Sequence, residues 1–338
     1  MSRKILILII SILVIGLFVT SCGKAQKKDE GVKVAMVTDV GGVNDQSFNQ
    51  SAWEGLQKAE EELGISASYV ESNQDADYKP NMETLLDAGN KLIWGIGFKM
   101  GETLTEVAKL NPEQKYAGID CFFEEPTSNL VGILFREQEP SFLVGYIAGK
   151  MTKVDKVGFV GGMDFFVIHK FHYGYMAGVK EANPDCEILA QYADSFTDAA
   201  KGKAIANQMY KNGADIVFHA AGGVGDGVIE AAKEQNKYAI GVDRDQHDLA
   251  PENVITSAMK RVDNAIYNLT ETLVKGEYPG GSNVIYGLKE KAVGIAPTSY
   301  KLVPKEILDE VEGVKEKIIS GEIVPPTNEE QYKEYLSK

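Results

Sequence analysis

KVAMV at 33–37 and KVGFV at 156–160 are one apolar run written twice, 123 positions apart. The offset persists along the chain: Phe48 and Gly55 return as Phe171 and Gly178, and KYAGID ending at Asp120 returns as KYAIGVD ending at Asp243. GNKLIW (89–94) parallels GADIVF (213–218), and Asn129 parallels Asn253, at an offset of 124. Two apolar strands resemble each other by chance; a fixed displacement held over several landmarks marks a duplication.

Within each half, short apolar runs alternate with helical patterns such as Ala52, Leu56, Ala59 and Leu63, whose spacing puts one greasy stripe against a sheet. The runs predict strands at 33–38, 66–70, 92–96, 115–119 and 130–134, then at 156–161, 187–192, 215–219, 237–242 and 254–258. Strand, helix, strand in succession gives an α/β fold of two doubly wound parallel-sheet lobes with right-handed crossovers. Ligands of such sheets lie beyond the carboxyl ends of the strands. The expected division is 31–133 plus 257–280 for lobe 1 and 134–256 plus 281–300 for lobe 2. Hinges are expected near Val131–Glu137, Asn253–Ala258 and Gly280–Val284, and residues 301–338 form a clasp over the lobes.

The carboxyl-end rule gives meaning to TDVGGVNDQSFNQ (38–50), which leaves the first strand and enters a helix. Its polar groups belong on a cleft rim, together with Asp120, with Phe218 and the pair Gly222 and Gly223, and with Asp243 and Lys260. Carboxylates accept paired hydrogen bonds from hydroxyls or from the N–H edge of a base, and an aromatic at position 48 offers a stacking face. Each residue also has a plain role. Asp39 and Asn44 suit turn or helix capping, Phe48 suits a core, and Asp120 and Asp243 suit the start of a βα loop. Convergence on one rim is what favours a neutral, ring-bearing, hydroxylated ligand.

The N-terminus assigns the compartment. Arg3 and Lys4 precede an apolar stretch from 5 to 19, the layout of a signal peptide, and this stretch is shorter than the ~20 residues of a membrane span. Val19-Thr20-Ser21-Cys22 is similar to a bacterial lipobox, so residues 1–21 are expected to be removed, Cys22 lipidated, and 22–30 left as a tether to the membrane surface. Loss of Arg3 and Lys4 takes the formal charge from −14 to −16, which disfavours a nucleic-acid polymer as partner. Cys121 and Cys186 then remain, too few for a disulfide framework.

Catalytic signatures are weak. The glycines of 222–227 miss the dinucleotide-binding spacing, Walker A and G-x-S-x-G motifs do not occur, and His169 with His172 lacks the partners of a metal site. No cofactor or metal is expected, and a duplicated secreted pair of lobes points to binding, not reaction.

VTDVGGVNDQSFNQSAWEGL (37–56), FHAAGGVGDGVIEAA (218–232), IGVDRDQ (240–246) and VITSAMKRVD (254–263) resemble the basic membrane protein family, substrate-binding lipoproteins similar to the purine nucleoside receptor. The resemblance implies a type I periplasmic-binding-protein fold that delivers purine nucleosides to the permease of an ABC importer. By position, it implies Asp39 on the purine edge, Asn44 supporting the loop, Phe48 stacked on the base and Asp120 completing base recognition. Asp243 would hold the ribose hydroxyls with Lys260 as a nearby donor, and Gly222 and Gly223 would admit the ligand close to backbone. Phe218, or else Phe171 or Phe166, would be the second stacking ring. Other readings of the same fold are a sugar or amino-acid binder, with Arg244 or Arg261 for a carboxylate, and a surface adhesin or signal receptor.

Overall fold

The computed structural model describes residues 31–338. The expected signal peptide, Cys22 and the tether lie outside them. Among the described residues no helix is long and apolar enough to cross a membrane.

The first half builds β1 (Lys33–Thr38), α1 (Phe48–Leu63), β2 (Ser66–Val70), α2 (Tyr78–Asp87), β3 (Leu92–Ile96), α3 (Gly101–Leu110), β4 (Lys115–Ile119) and β5 (Leu130–Phe135). The second repeats the alternation with α4 (Gln138–Met151), β6 (Lys156–Gly161), α5 (Phe166–Ala182), β7 (Glu187–Tyr192), α6 (Ala199–Lys211), β8 (Ile216–Ala220), α7 (Val224–Gln235), β9 (Tyr238–Asp243) and β10 (Val254–Lys260). After them come α8 (Val262–Val274), β11 (Ser282–Tyr286), β12 (Val293–Ile295), α9 (Lys305–Ser320) and α10 (Glu329–Leu336).

The strands form two six-stranded sheets, ordered β11-β5-β4-β3-β1-β2 and β12-β10-β9-β8-β6-β7. All pairings are parallel except β12 with β10. Central strands such as β3 and β8 are buried along their whole length because helices cover both faces, which is why they read as unbroken apolar runs. The edge strands β2 and β7 are largely exposed.

Several repeat landmarks have structural explanations. A Cβ on Gly55 would lie 2.4 Å from the carbonyl oxygen of Asp263, and one on Gly178 would lie 2.0 Å from that of Phe142. Both glycines let a helix press directly on its neighbour, α1 on α8 and α5 on α4. Asn129 Nδ2 donates to the carbonyls of Ala108, Asn111 and Gln114, and Asn253 Nδ2 to those of Lys237 and Ala232, so each amide ties the last turn of a helix to the loop that follows it.

The lobe boundaries need correction. β11 extends the first sheet by pairing with β5, although 281–300 was expected in lobe 2. β10 stays in the second sheet through Lys260, held between β9 and β12, although lobe 1 was expected to resume at 257. The chain therefore crosses at Arg136–Glu137, at Arg261 and within 287–292. The tail also differs from a clasp over both lobes: α9 packs on α4, α10 packs on α5, and Glu310 accepts from Tyr146 and Lys150 of α4. The apolar stripe Val311, Val314 and Ile318 buries against this second lobe.

Candidate binding site

The polar loop after β1 sorts its groups by role. The carboxylate of Asp45 accepts from the backbone N–H groups of Ser47, Asn49 and Gln50 at 2.9, 2.8 and 3.1 Å, satisfying the open amides of the α1 N-terminus. Ser47 occupies the cap position but sends its hydroxyl elsewhere. Asp39 Oδ1 accepts from the Gly41 N–H at 2.9 Å and from Asn49 Nδ2 at 2.8 Å, while Oδ2 accepts none from the described residues. Burial pushes the Asp39 carboxyl up to about 6, with the bonds from Gly41 and Asn49 opposing the rise.

Asp120 follows β4 and Asp243 ends β9, both in left-handed backbone at φ 62° and 64°. Lys260, at the end of β10, gives Nζ hydrogen bonds of 2.7 and 2.6 Å to the two Asp120 oxygens. Its side chain is 2 % exposed, and its ammonium lies 5.1 Å from the ring centres of Phe48 and Phe135. Burial works against the Lys260 charge, but Asp120, Glu137 and Asp243 outweigh it and hold the ammonium above its ordinary range. Burial raises the Asp120 carboxyl and Lys260 opposes that rise. Asp243 Oδ2 accepts from Ser47 Oγ at 2.5 Å, and burial pushes its carboxyl up to about 7.

These groups enclose one cavity with about 570 Å³ of free space including its mouth. The first lobe contributes Asp39, Phe48, Asn49, Phe98 and Asp120; the second contributes Phe171, Phe196, Gly222, Asp243 and Lys260. The lobes are shut across it. Besides the Asp120–Lys260 and Ser47–Asp243 contacts, Arg244 Nη2 donates to Glu54 at 2.6 Å, and Gln246 Nε2 to the Gln46 carbonyl at 3.0 Å. The Phe98 ring stacks on Phe165 at 3.9 Å between centroids.

Of the residues expected from sequence, Asp39, Phe48, Asp120, Gly222, Asp243 and Lys260 line this cavity and Asn44, Phe218 and Gly223 do not. Asn44 is exposed on a turn. Phe218 lies two residues below the rim, fully buried among Phe159, Phe171 and Tyr175. Gly223 is one step past the wall, at the start of α7. Asn49, Phe98, Phe196 and Glu137 were not anticipated; an aromatic just beyond a strand's carboxyl end was the available signal for Phe98 and Phe196.

Residues 32–329 match the Bmp family, described as ABC transporter substrate-binding proteins that are PnrA-like. The chain belongs to this family. It is 42 % identical over 341 residues to basic membrane protein A1 of Borrelia garinii subsp. bavariensis, covering 99 % of this chain and 100 % of that one. It is 38 % identical over 326 residues to the ABC transporter nucleoside-binding protein BmpA of Lactococcus lactis subsp. cremoris, covering 90 % and 92 %. Among solved structures, a solute-binding protein of an ABC transporter system from Aeropyrum pernix superposes with a TM-score of 0.83 at 32 % identity, covering 90 % of this chain and 96 % of that one. The Bmp membership and this superposition establish the periplasmic-binding-protein fold and make the chain a substrate-binding protein of the ABC transporter type.

Proposed function

We propose that the cavity takes a purine nucleoside for an ABC importer, with the chain held by lipid on Cys22 at the outer face of the membrane. The observation that carries this reading is a cavity between the lobes with aromatic rings from both of them and carboxylates along its rim. Asp39 Oδ2 accepts from the N–H edge of the base. Phe48 stacks on one face of the base, and Phe196 replaces Phe218 as the ring from the opposite lobe. Asp243 Oδ1 takes a ribose hydroxyl, and Lys260 donates near the ribose. Asp120, occupied on both oxygens by Lys260, serves by fixing that ammonium. The name of the Lactococcus relative is consistent with this ligand class.

The energies suffice. A micromolar site needs about 8.2 kcal/mol; base stacking supplies about 1–3 per ring and hydrogen bonds to charged groups about 1.5–3 each, against the costs of closure. Calorimetric titration with inosine, guanosine, adenosine and free ribose tests the reading. Purine nucleosides are expected to bind and ribose alone to give no heat of binding; the opposite ranking overturns it.

A further inference from the structure

Glu137 sits at the crossing from β5 into α4 with its side chain 1 % exposed. Its Oε2 accepts from Lys170 Nζ at 3.0 Å. Its Oε1 forms an ion pair with Lys260 Nζ at 2.9 Å but has no well-aligned hydrogen bond among the described residues. Two of the ammonium's three donors go to the two oxygens of Asp120 at 2.7 and 2.6 Å, the better-aligned partners. In the closed form this buried oxygen is held by charge at 2.9 Å without a well-aligned hydrogen bond, which leaves room for a better one when Asp120 withdraws.

The three groups belong to different parts of the hinge. Asp120 directly follows a strand of the first sheet and Lys260 ends a strand of the second. Glu137 lies on the crossing itself, tied to Lys170 of α5 in the second lobe. When the lobes part, Asp120 leaves with the first sheet, while Glu137 stays beside Lys260. We propose that Glu137 is a positioning residue that takes over a hydrogen bond of Lys260 as the cleft opens, exchanging Asp120 for Glu137 Oε1. The exchange keeps Lys260 paired and held in the second lobe between rounds of binding and spares the open form an unpaired lysine. This inference rests on the reading of the cavity as a ligand cleft that opens and closes.

The test compares the purified wild-type protein with Glu137→Gln, alone and in a Lys260→Met background. X-ray scattering gives the radius of the ligand-free protein, and stopped-flow fluorescence gives the association rate of inosine. Glutamine keeps the shape and loses the charge, so the open form is disfavoured. The ligand-free variant is expected to be more compact, and association is expected to fall at least fivefold. With Lys260→Met already present, Glu137→Gln should change neither quantity. An unchanged radius and rate in the folded single variant overturns the proposal, as does an equal change in the Lys260→Met background. If the glutamine variant does not fold, Glu137→Asp decides, since retracting the charge by one methylene should slow association in smaller measure and wild-type behaviour overturns the idea. Should inosine fail to bind wild-type protein, the nucleoside reading falls, while the scattering of ligand-free protein still decides the role of Glu137.

Discussion

Asp120 and Asp243 stand at equivalent points of the two halves, each buried beyond the fourth strand in left-handed backbone. Their partners differ: Asp120 faces the ammonium of Lys260, and Asp243 faces the hydroxyl of Ser47. The backbone socket has survived duplication, and the residue opposite it sets the chemistry. One carboxylate has both oxygens on a cation; the other gives a single oxygen to a hydroxyl. Lys260→Met is the largest perturbation of this contrast, because it leaves Asp120 and Glu137 buried without their shared cation. Breaking a buried pair from one side costs about 3–5 kcal/mol, whereas Ser47→Ala removes one hydrogen bond to a carboxyl, about 1.5–3 kcal/mol. Urea unfolding of both variants measures the difference. Equal losses would erase the distinction between the two sockets.

The contrast also has a pH signature. Asp39 and Asp243 titrate at about 6 and about 7 in the folded chain, raised by burial from an ordinary 3.8. Between pH about 4 and 7 the folded state therefore holds protons that the unfolded state has released, and stability falls as pH rises through that window. The ligand-free protein is expected to melt higher at pH 5 than at pH 8, by a few degrees, since 1 kcal/mol is worth about 2–4 °C in a chain of this order of size. Asp243→Asn removes the upper part of the window. A melting profile of that variant that still declines between pH 6 and 8 as steeply as wild type would show that the proton sits elsewhere.

The sequence patterns that could be read were those that burial writes directly. Strands covered on both faces, β1, β3, β4, β6 and β8, stand out as apolar runs bounded by polar loops, and the common offset located the two sheets and their rim. The crossings were not legible. They are one to six residues long with no composition of their own, and β11 is a half-exposed strand whose apolar run is only Val284-Ile285-Tyr286. Phe218 and Phe196 show the same limit within the site. A phenylalanine inside a buried strand has a sequence signal but sits below the rim, while Phe196 stands in an irregular segment between β7 and α6 where no period reports its direction.

Phe48 and Phe171 are repeat partners with different depths, since α5 begins five residues before Phe171 while α1 begins at Phe48 itself. Phe48 is half-buried on the cavity wall and Phe171 is 3 % exposed. Phe48→Ala is therefore expected to weaken nucleoside binding at least tenfold with the fold kept, in line with about 1–3 kcal/mol per stacked base. Phe196→Ala should behave likewise. Phe171→Ala should cost stability first, as large-to-small core changes do. Calorimetry paired with thermal melting separates the two outcomes; unchanged affinity for Phe48→Ala would remove it as a stacking face.

Asn44 and Asn49 complete the contrast at its weakest end. They share one loop and one chemistry, but Asn49 is buried, donating to both Asp39 and Asp45 at 2.8 and 2.9 Å, whereas Asn44 is exposed and off the cavity wall. Removing Asn49 would leave Asp39 Oδ1 with the Gly41 N–H alone and loosen the carboxylate proposed to face the base. Removing Asn44 takes away only a solvated amide, and surface changes of this kind stay within about 0.5 kcal/mol. Asn44→Ala is expected to leave nucleoside affinity within twofold of wild type by calorimetric titration. A tenfold loss would mean that the loop turns Asn44 inward when ligand is present, and the division of labour between the two amides would have to be reversed.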